Sequence, residues 1–149
     1  MLEFKTPQIE DKAWVDQCFK HLKTMNCDYT FGNMFVWSTE YSTKICRFKD
    51  FFICSWGMGK ETNFGIPVGK GDFKEAVEEV IKYAKANDIM PRFYGVTEAY
   101  VEMLNENFPD AFQFSYDEGY GDYIYEVEKM ASLKGKKYHG KRNHITNFK

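Results

Sequence analysis

Thr43-Lys44-Ile45-Cys46-Arg47-Phe48-Lys49-Asp50-Phe51-Phe52-Ile53-Cys54-Ser55-Trp56 is the stretch that decides the fold. Two runs rich in β-branched and aromatic residues, Thr43 to Phe48 and Phe51 to Trp56, flank the polar dipeptide Lys49-Asp50. That arrangement predicts a β-hairpin. A glycine-bearing connection, Gly57 to Lys60, leads to a third extended run at Asn63 to Val68. Upstream the period is helical. Trp14, Val15, Cys18, Phe19 and Leu22 share one face after Asp11, a candidate cap, and Asp28 is placed to cap a short helix bearing Phe31, Met34 and Phe35.

Downstream, Gly69-Lys70-Gly71-Asp72 reads as a turn and a cap. Asp72 with Glu75 opens a helix to about Asn87, with Phe73, Val77, Val80, Ile81 and Ala84 as its apolar stripe. Pro91 precedes a strand at Arg92 to Val96, and Thr97 caps a helix carrying Tyr100, Val101 and Leu104. Two alternating runs, Phe112 to Asp117 and Tyr123 to Val127, predict further strands joined through Glu118-Gly119-Tyr120-Gly121. Strands outnumber helices and hairpins recur, which disfavours a regular parallel array. The order predicts an α+β fold, a mixed, largely antiparallel twisted sheet flanked by helices, with residues 1–149 as a single domain.

Composition permits a well-filled core. Hydrophobic residues make up 44% and aromatics 18%, with 14 Phe and 10 Tyr, which favours sheet and argues against disorder. Part of that aromatic content is expected to form an apolar patch that a second domain in cis, or a homodimer partner, would cover. No apolar run is long enough to span a bilayer, and the N-terminus, with Glu3, Lys5, Glu10 and Asp11, does not resemble a signal peptide, so a cytoplasmic location is expected. Cys18, Cys27, Cys46 and Cys54 form no C-x-x-C pair, and His21, His139 and His144 have no ligand spacing with them; reduced thiols and no metal site are expected.

Charge is segregated near the end. Asp110, Asp117, Glu118, Asp122, Glu126 and Glu128 precede a stretch from Met130 onward without any acidic residue, although the formal net charge is only -2. That stretch includes Leu133-Lys134-Gly135-Lys136-Lys137-Tyr138-His139-Gly140-Lys141-Arg142-Asn143-His144. Cations at a loop entering a helix can bind an anion, with glycines bringing backbone amides close. Lys134, Gly135, Lys136, Lys137, His139, Gly140, Lys141, Arg142 and Asn143 are therefore the candidate anion-binding residues, and Arg142 is expected to serve binding more than stability. A solvated basic face that docks a neighbouring domain is the other reading of the same residues. Tyr138 and His139 favour binding, because rings between cations can stack on unpaired bases. No catalytic set can be assembled from spacing.

The segment Ala131 to Ile145, with Asp122-Tyr123-Ile124-Tyr125 before it, resembles the signature of the bacterial family of phosphatidylglycerol lysyltransferase C-terminal domains. Cys27-Asp28-Tyr29-Thr30-Phe31-Gly32-Asn33-Met34-Phe35-Val36-Trp37 and Pro67-Val68-Gly69-Lys70-Gly71-Asp72 match it in the same order. The resemblance implies a GNAT-like (acyl-CoA N-acyltransferase-like) domain, the first half of a tandem pair, and an acyltransferase or aminoacyltransferase relation. It implies aminoacyl-tRNA as a donor, and little turnover by this chain alone. Lys137-Tyr138-His139-Gly140-Lys141-Arg142 departs from the GNAT diphosphate loop by placing Arg142 where a small residue admits the cofactor arm. Acyl-CoA is accordingly disfavoured and no cofactor is expected. A non-enzymatic module for RNA or another polyanion is the alternative.

Overall fold

Lys49-Asp50 joins β1 (Lys44–Phe48) to β2 (Phe51–Trp56), with Phe48 opposite Phe51 and Lys44 opposite Ser55. Lys49 takes a φ of 52°, the left-handed sign that a two-residue hairpin loop requires at its first position. In this computed structural model, which describes residues 2–116, 118–121 and 123–148, the chain divides into two compact units, Met1–Ser115 and Tyr116–Lys149.

The first unit is built on β2. That strand also pairs antiparallel with β3 (Asn63–Gly65) and β4 (Val68–Gly69), and β5 (Phe93–Tyr94) lies parallel beside β3. The sheet is thus mixed, largely antiparallel and five-stranded, as the element order predicts. The expected run from Asn63 to Val68 is split in two at Ile66-Pro67, because proline has no N–H to give a ladder. At Gly69 the chain passes so near the hairpin that a Cβ would sit 2.0 Å from the Asp50 carbonyl oxygen.

Helices cover both faces. Phe51 packs with Phe73, Ala76 and Val77 of α3 (Phe73–Ala86) and with Tyr100 and Leu104 of α4 (Glu98–Asn107), while Ile53 packs with Val80 and Ala84 of α3. Phe52 and Cys54 point to the opposite side, against Val15 and Cys18 of α1 (Lys12–Phe19) and Phe31 and Met34 of α2 (Phe31–Trp37). This two-sided burial explains why β2 reads as a nearly continuous apolar run.

Capping follows the sequence in part. Asp72 accepts a hydrogen bond from the Glu75 amide at 3.0 Å and starts α3 as expected. Asp11 precedes α1, but its buried carboxylate serves the preceding 3-10 turn, accepting from Lys5 Nζ at 2.7 Å, Trp14 Nε1 at 2.9 Å and the Gln8 amide at 2.9 Å. Burial alone would raise that carboxyl, yet the three bonds outweigh it and hold its pKa below the ordinary value. Asp28 does not cap α2. Thr30 does so through the Asn33 amide, and the Asp28 carboxylate instead accepts from Asn33 Nδ2 at 2.9 Å.

The predicted strands after Pro109 do not form. Among the described residues no strand lies beyond Tyr94. Residues 111–116 and 123–126 are irregular, and Tyr116, Tyr123, Ile124 and Val127 are exposed. Asp117, with which the first of these runs was expected to end, lies outside the described residues. Alternation supplies only an amphipathic ribbon, and without a pairing edge such a ribbon gains no ladder.

Candidate functional site

The basic segment occupies the second unit, between two helices. α5 (Val127–Ser132) ends where Leu133 turns left-handed, at φ 47°, and its amide reaches the Lys129 carbonyl at 2.9 Å. Gly135 follows at φ 96°, a conformation open to glycine, and a 3-10 turn at Lys136–Tyr138 leads into α6 (His139–Phe148). A strand at Tyr123 to Val127, as the alternation predicts, would lead directly into the motif; a helix, α5, precedes it instead. Glu128, Lys129, Met130 and Ala131 are good helix formers, and with no pairing partner their propensity prevails. The loop-to-helix junction at His139 is as expected.

Arg142 has a structural task. Its Nη1 donates to the carbonyls of Leu133 and Gly135, the latter at 2.9 Å, so the side chain folds back across the turn from α6. A left-handed non-glycine residue such as Leu133 costs about 1–2 kcal/mol, and the charge-assisted bonds help to hold it. His139 and Asn143 face each other one helical turn apart, Nε2 and Nδ2 being 3.3 Å apart. Gly140 lies in the first turn of α6 with open space around it.

The lysines behave differently. Lys134, Lys136, Lys137 and Lys141 are exposed, and among the described residues no carboxylate lies within ion-pair distance of any of them. Lys129, by contrast, is held by Glu126 at 2.7 Å. The Lys141 ammonium sits 5.0 Å from the centroid of Tyr125, and that of Lys137 lies 6.0 Å from Tyr138. Beside them is an open cleft of about 620 Å³ lined by Tyr123, Ile124, Tyr125, Lys129, Lys137 and Tyr138, with Lys134 and Glu126 completing its wall. The basic motif includes the lysines and Tyr138, whereas alternation predicts a strand for Tyr123 and Tyr125, which are instead exposed rings in the cleft wall. A signal was present, since rings with no strand partner beside a block of lysines are free to form a wall.

The Cys27 to Trp37 motif shapes a second, smaller concavity of about 400 Å³ between α1 and the start of α2, lined by Lys12, Asp16, Phe19, Lys20, Tyr29 and Thr30 with Phe31 and Gly32. Asp28 and Asn33 of the same motif engage each other and are absent from its lining. The Tyr29 phenol is pushed well above its ordinary pKa by burial, and burial likewise raises the Cys54 thiol to about 12. Neither is disposed to ionise at neutral pH.

A family model described as "Phosphatidylglycerol lysyltransferase, C-terminal" matches residues 19–149. The chain belongs to this family. The match contains both the Cys27 to Trp37 motif and the basic segment, so the larger cleft lies wholly within the family region, while Lys12 and Asp16 of the smaller concavity precede it. A comparison with curated proteins gave no match. Among solved structures, a conserved protein of unknown function from Bacteroides thetaiotaomicron VPI-5482 is similar, with a TM-score of 0.83 and 32% identity. The alignment covers 99% of this chain and 50% of that one, so this chain spans half the length of its solved relative. Among the described residues, no helix is long and apolar enough to cross a membrane.

Proposed function

We propose that this chain is a GNAT-like domain of an aminoacyltransferase of the lysyltransferase type, the first half of a tandem pair, and that its basic segment docks the RNA that carries the amino acid. The observation that carries the reading is the set of exposed lysines, Lys134, Lys136, Lys137 and Lys141, without carboxylate partners among the described residues. Surface lysines in a protein of near-neutral charge commonly lie close to acids, as Lys12, Lys49 and Lys82 do here with Asp16, Glu75 and Glu79. A row that lacks them presents uncompensated positive potential to a polyanion. His139, Gly140 and Asn143 border that row at the start of α6.

The family name speaks of lysyl transfer to phosphatidylglycerol; in the proposed reaction a hydroxyl of that lipid attacks a lysyl ester, and the nucleic-acid hydroxyl leaves. The half-length alignment supports placing part of that machinery on a second domain. Acyl-CoA fits poorly. Arg142 stands where a diphosphate-gripping loop has a small residue, and its guanidinium already occupies the loop carbonyls. The alternative is a module that binds RNA without catalysis.

Titration of labelled tRNA at low and moderate salt tests the docking step, with coenzyme A tested alongside by thermal shift. The expected result is salt-sensitive tRNA binding and no shift with coenzyme A. Absence of tRNA binding at low salt, or stabilisation by coenzyme A, would overturn the reading. Lysine transfer from lysyl-tRNA to phosphatidylglycerol vesicles, measured with a double-length relative as control, separates the enzyme from the module.

A further inference from the structure

The cleft of the second unit joins two chemistries that a phosphate site alone does not need. Lys134 and Lys137 in its lining supply charge, while Tyr123 and Tyr125 supply aromatic faces. Tyr123 is 89% exposed, so its ring does little for the fold and is open to a ligand. Tyr125 carries the Lys141 ammonium over its ring, which fixes a cation beside a π surface. The exposed Ile124 and the buried Tyr138 add apolar surface to its lining. From these we infer that the cleft binds an unpaired nucleotide of RNA, its base stacked on Tyr123 or Tyr125 and its phosphates held by Lys134 and Lys137.

The chemistry selects among anions. A lipid phosphate or inorganic phosphate uses the lysines but has no planar group for the tyrosines. A duplex offers phosphates but keeps its bases stacked internally, so the rings would contribute nothing. Only a nucleotide whose base is free of a partner uses both the rings and the lysines, and stacking of this kind tolerates any base identity. The inference rests on the polyanion reading and narrows it, from RNA in general to an unpaired stretch of it.

The experiment compares three fluorescein-labelled probes of equal phosphate number on the full chain by anisotropy: a single-stranded oligoribonucleotide, the same backbone with abasic sites, and an RNA duplex. The single strand is expected to bind about tenfold or more tighter than the abasic backbone, the scale of losing one or two stacked bases. The double variant Tyr123→Ala, Tyr125→Ala should remove most of that advantage, with the salt dependence unchanged. Tyr123→Phe should keep it, since the ring rather than the hydroxyl stacks. Equal binding of all three probes with a common salt slope would overturn the nucleotide cleft while leaving the polyanion reading standing. No binding of any probe at low salt would overturn both. If adenosine diphosphate displaces the single strand and binds as tightly as it does, the cleft serves a small nucleotide and the assignment to RNA falls.

Discussion

β2 and the segment around Tyr123 carry the same local signal and have opposite fates. Phe51 to Trp56 is rich in aromatic and apolar residues, as is Tyr123 to Val127, yet the first is the centre of a sheet while the second is exposed, irregular through Glu126 and helical from Val127. The difference lies in what each can pair with and pack against. β2 has β1 along one side, β3 and β4 along the other, and helices on both faces. The second segment has none of these among the described residues. Period-two patterning reports that a ribbon is amphipathic; burial and pairing decide whether it is a strand.

The largest effect should come from opposing these two places directly. Phe52→Ala, at a fully buried ring touching α1, should cost about 3–5 kcal/mol in denaturant unfolding. Tyr123→Ala should change stability by less than about 0.5 kcal/mol. A loss at Tyr123 approaching that at Phe52 would break the comparison, because it would mean that the second segment is core after all.

A smaller effect is expected at the entrance to α1. Asp11→Ala removes a carboxylate that accepts three hydrogen bonds and should cost about 1–3 kcal/mol at neutral pH. The folded pKa of Asp11 lies below its unfolded value. Its contribution is therefore complete above the ordinary carboxylate pKa and is lost as pH falls through the lower folded value. The gap between wild type and variant should hold at neutral pH and narrow only in acid; urea titrations across that range read it.

These residues also show how far the sequence could be read. The hairpin, the Asp72 cap and the α3 stripe were legible because each depends on neighbours a few residues away. Asp28 misled, since an acid before a helical run is a cap only if the backbone turns at that residue, and here the turn comes at Thr30. The basic motif was visible as composition, but the division of labour inside it was not. That Arg142 is bound to Leu133 and Gly135 while the lysines lack carboxylate partners among the described residues depends on how α6 folds back over the turn. No spacing rule carries that information.

Arg142→Ala sharpens the contrast at a lower magnitude. It should cost about 1–2 kcal/mol locally and speed amide exchange across 133–148, while Lys136→Ala leaves exchange unchanged. Equal exchange in both variants would return Arg142 to the exposed row. The smallest effect is chemical. Burial raises the pKa values of Cys18, Cys46 and Cys54, whereas Cys27 is exposed, so a disulfide reagent should modify Cys27 well before the others in the native protein. Simultaneous reaction of all four would show that the sheet opens more readily than its burial implies.

The most direct test is the salt dependence of tRNA binding by the wild type and by the triple variant Lys134→Ala, Lys137→Ala, Lys141→Ala. Each phosphate contact contributes roughly 0.7–0.9 to the log-log slope. The account predicts a slope shallower by about two in the variant, with an unchanged melting temperature, since exposed unpaired lysines contribute little to the fold. An identical slope and affinity in the two proteins would contradict it, and the exposed lysines would then be a solvated face.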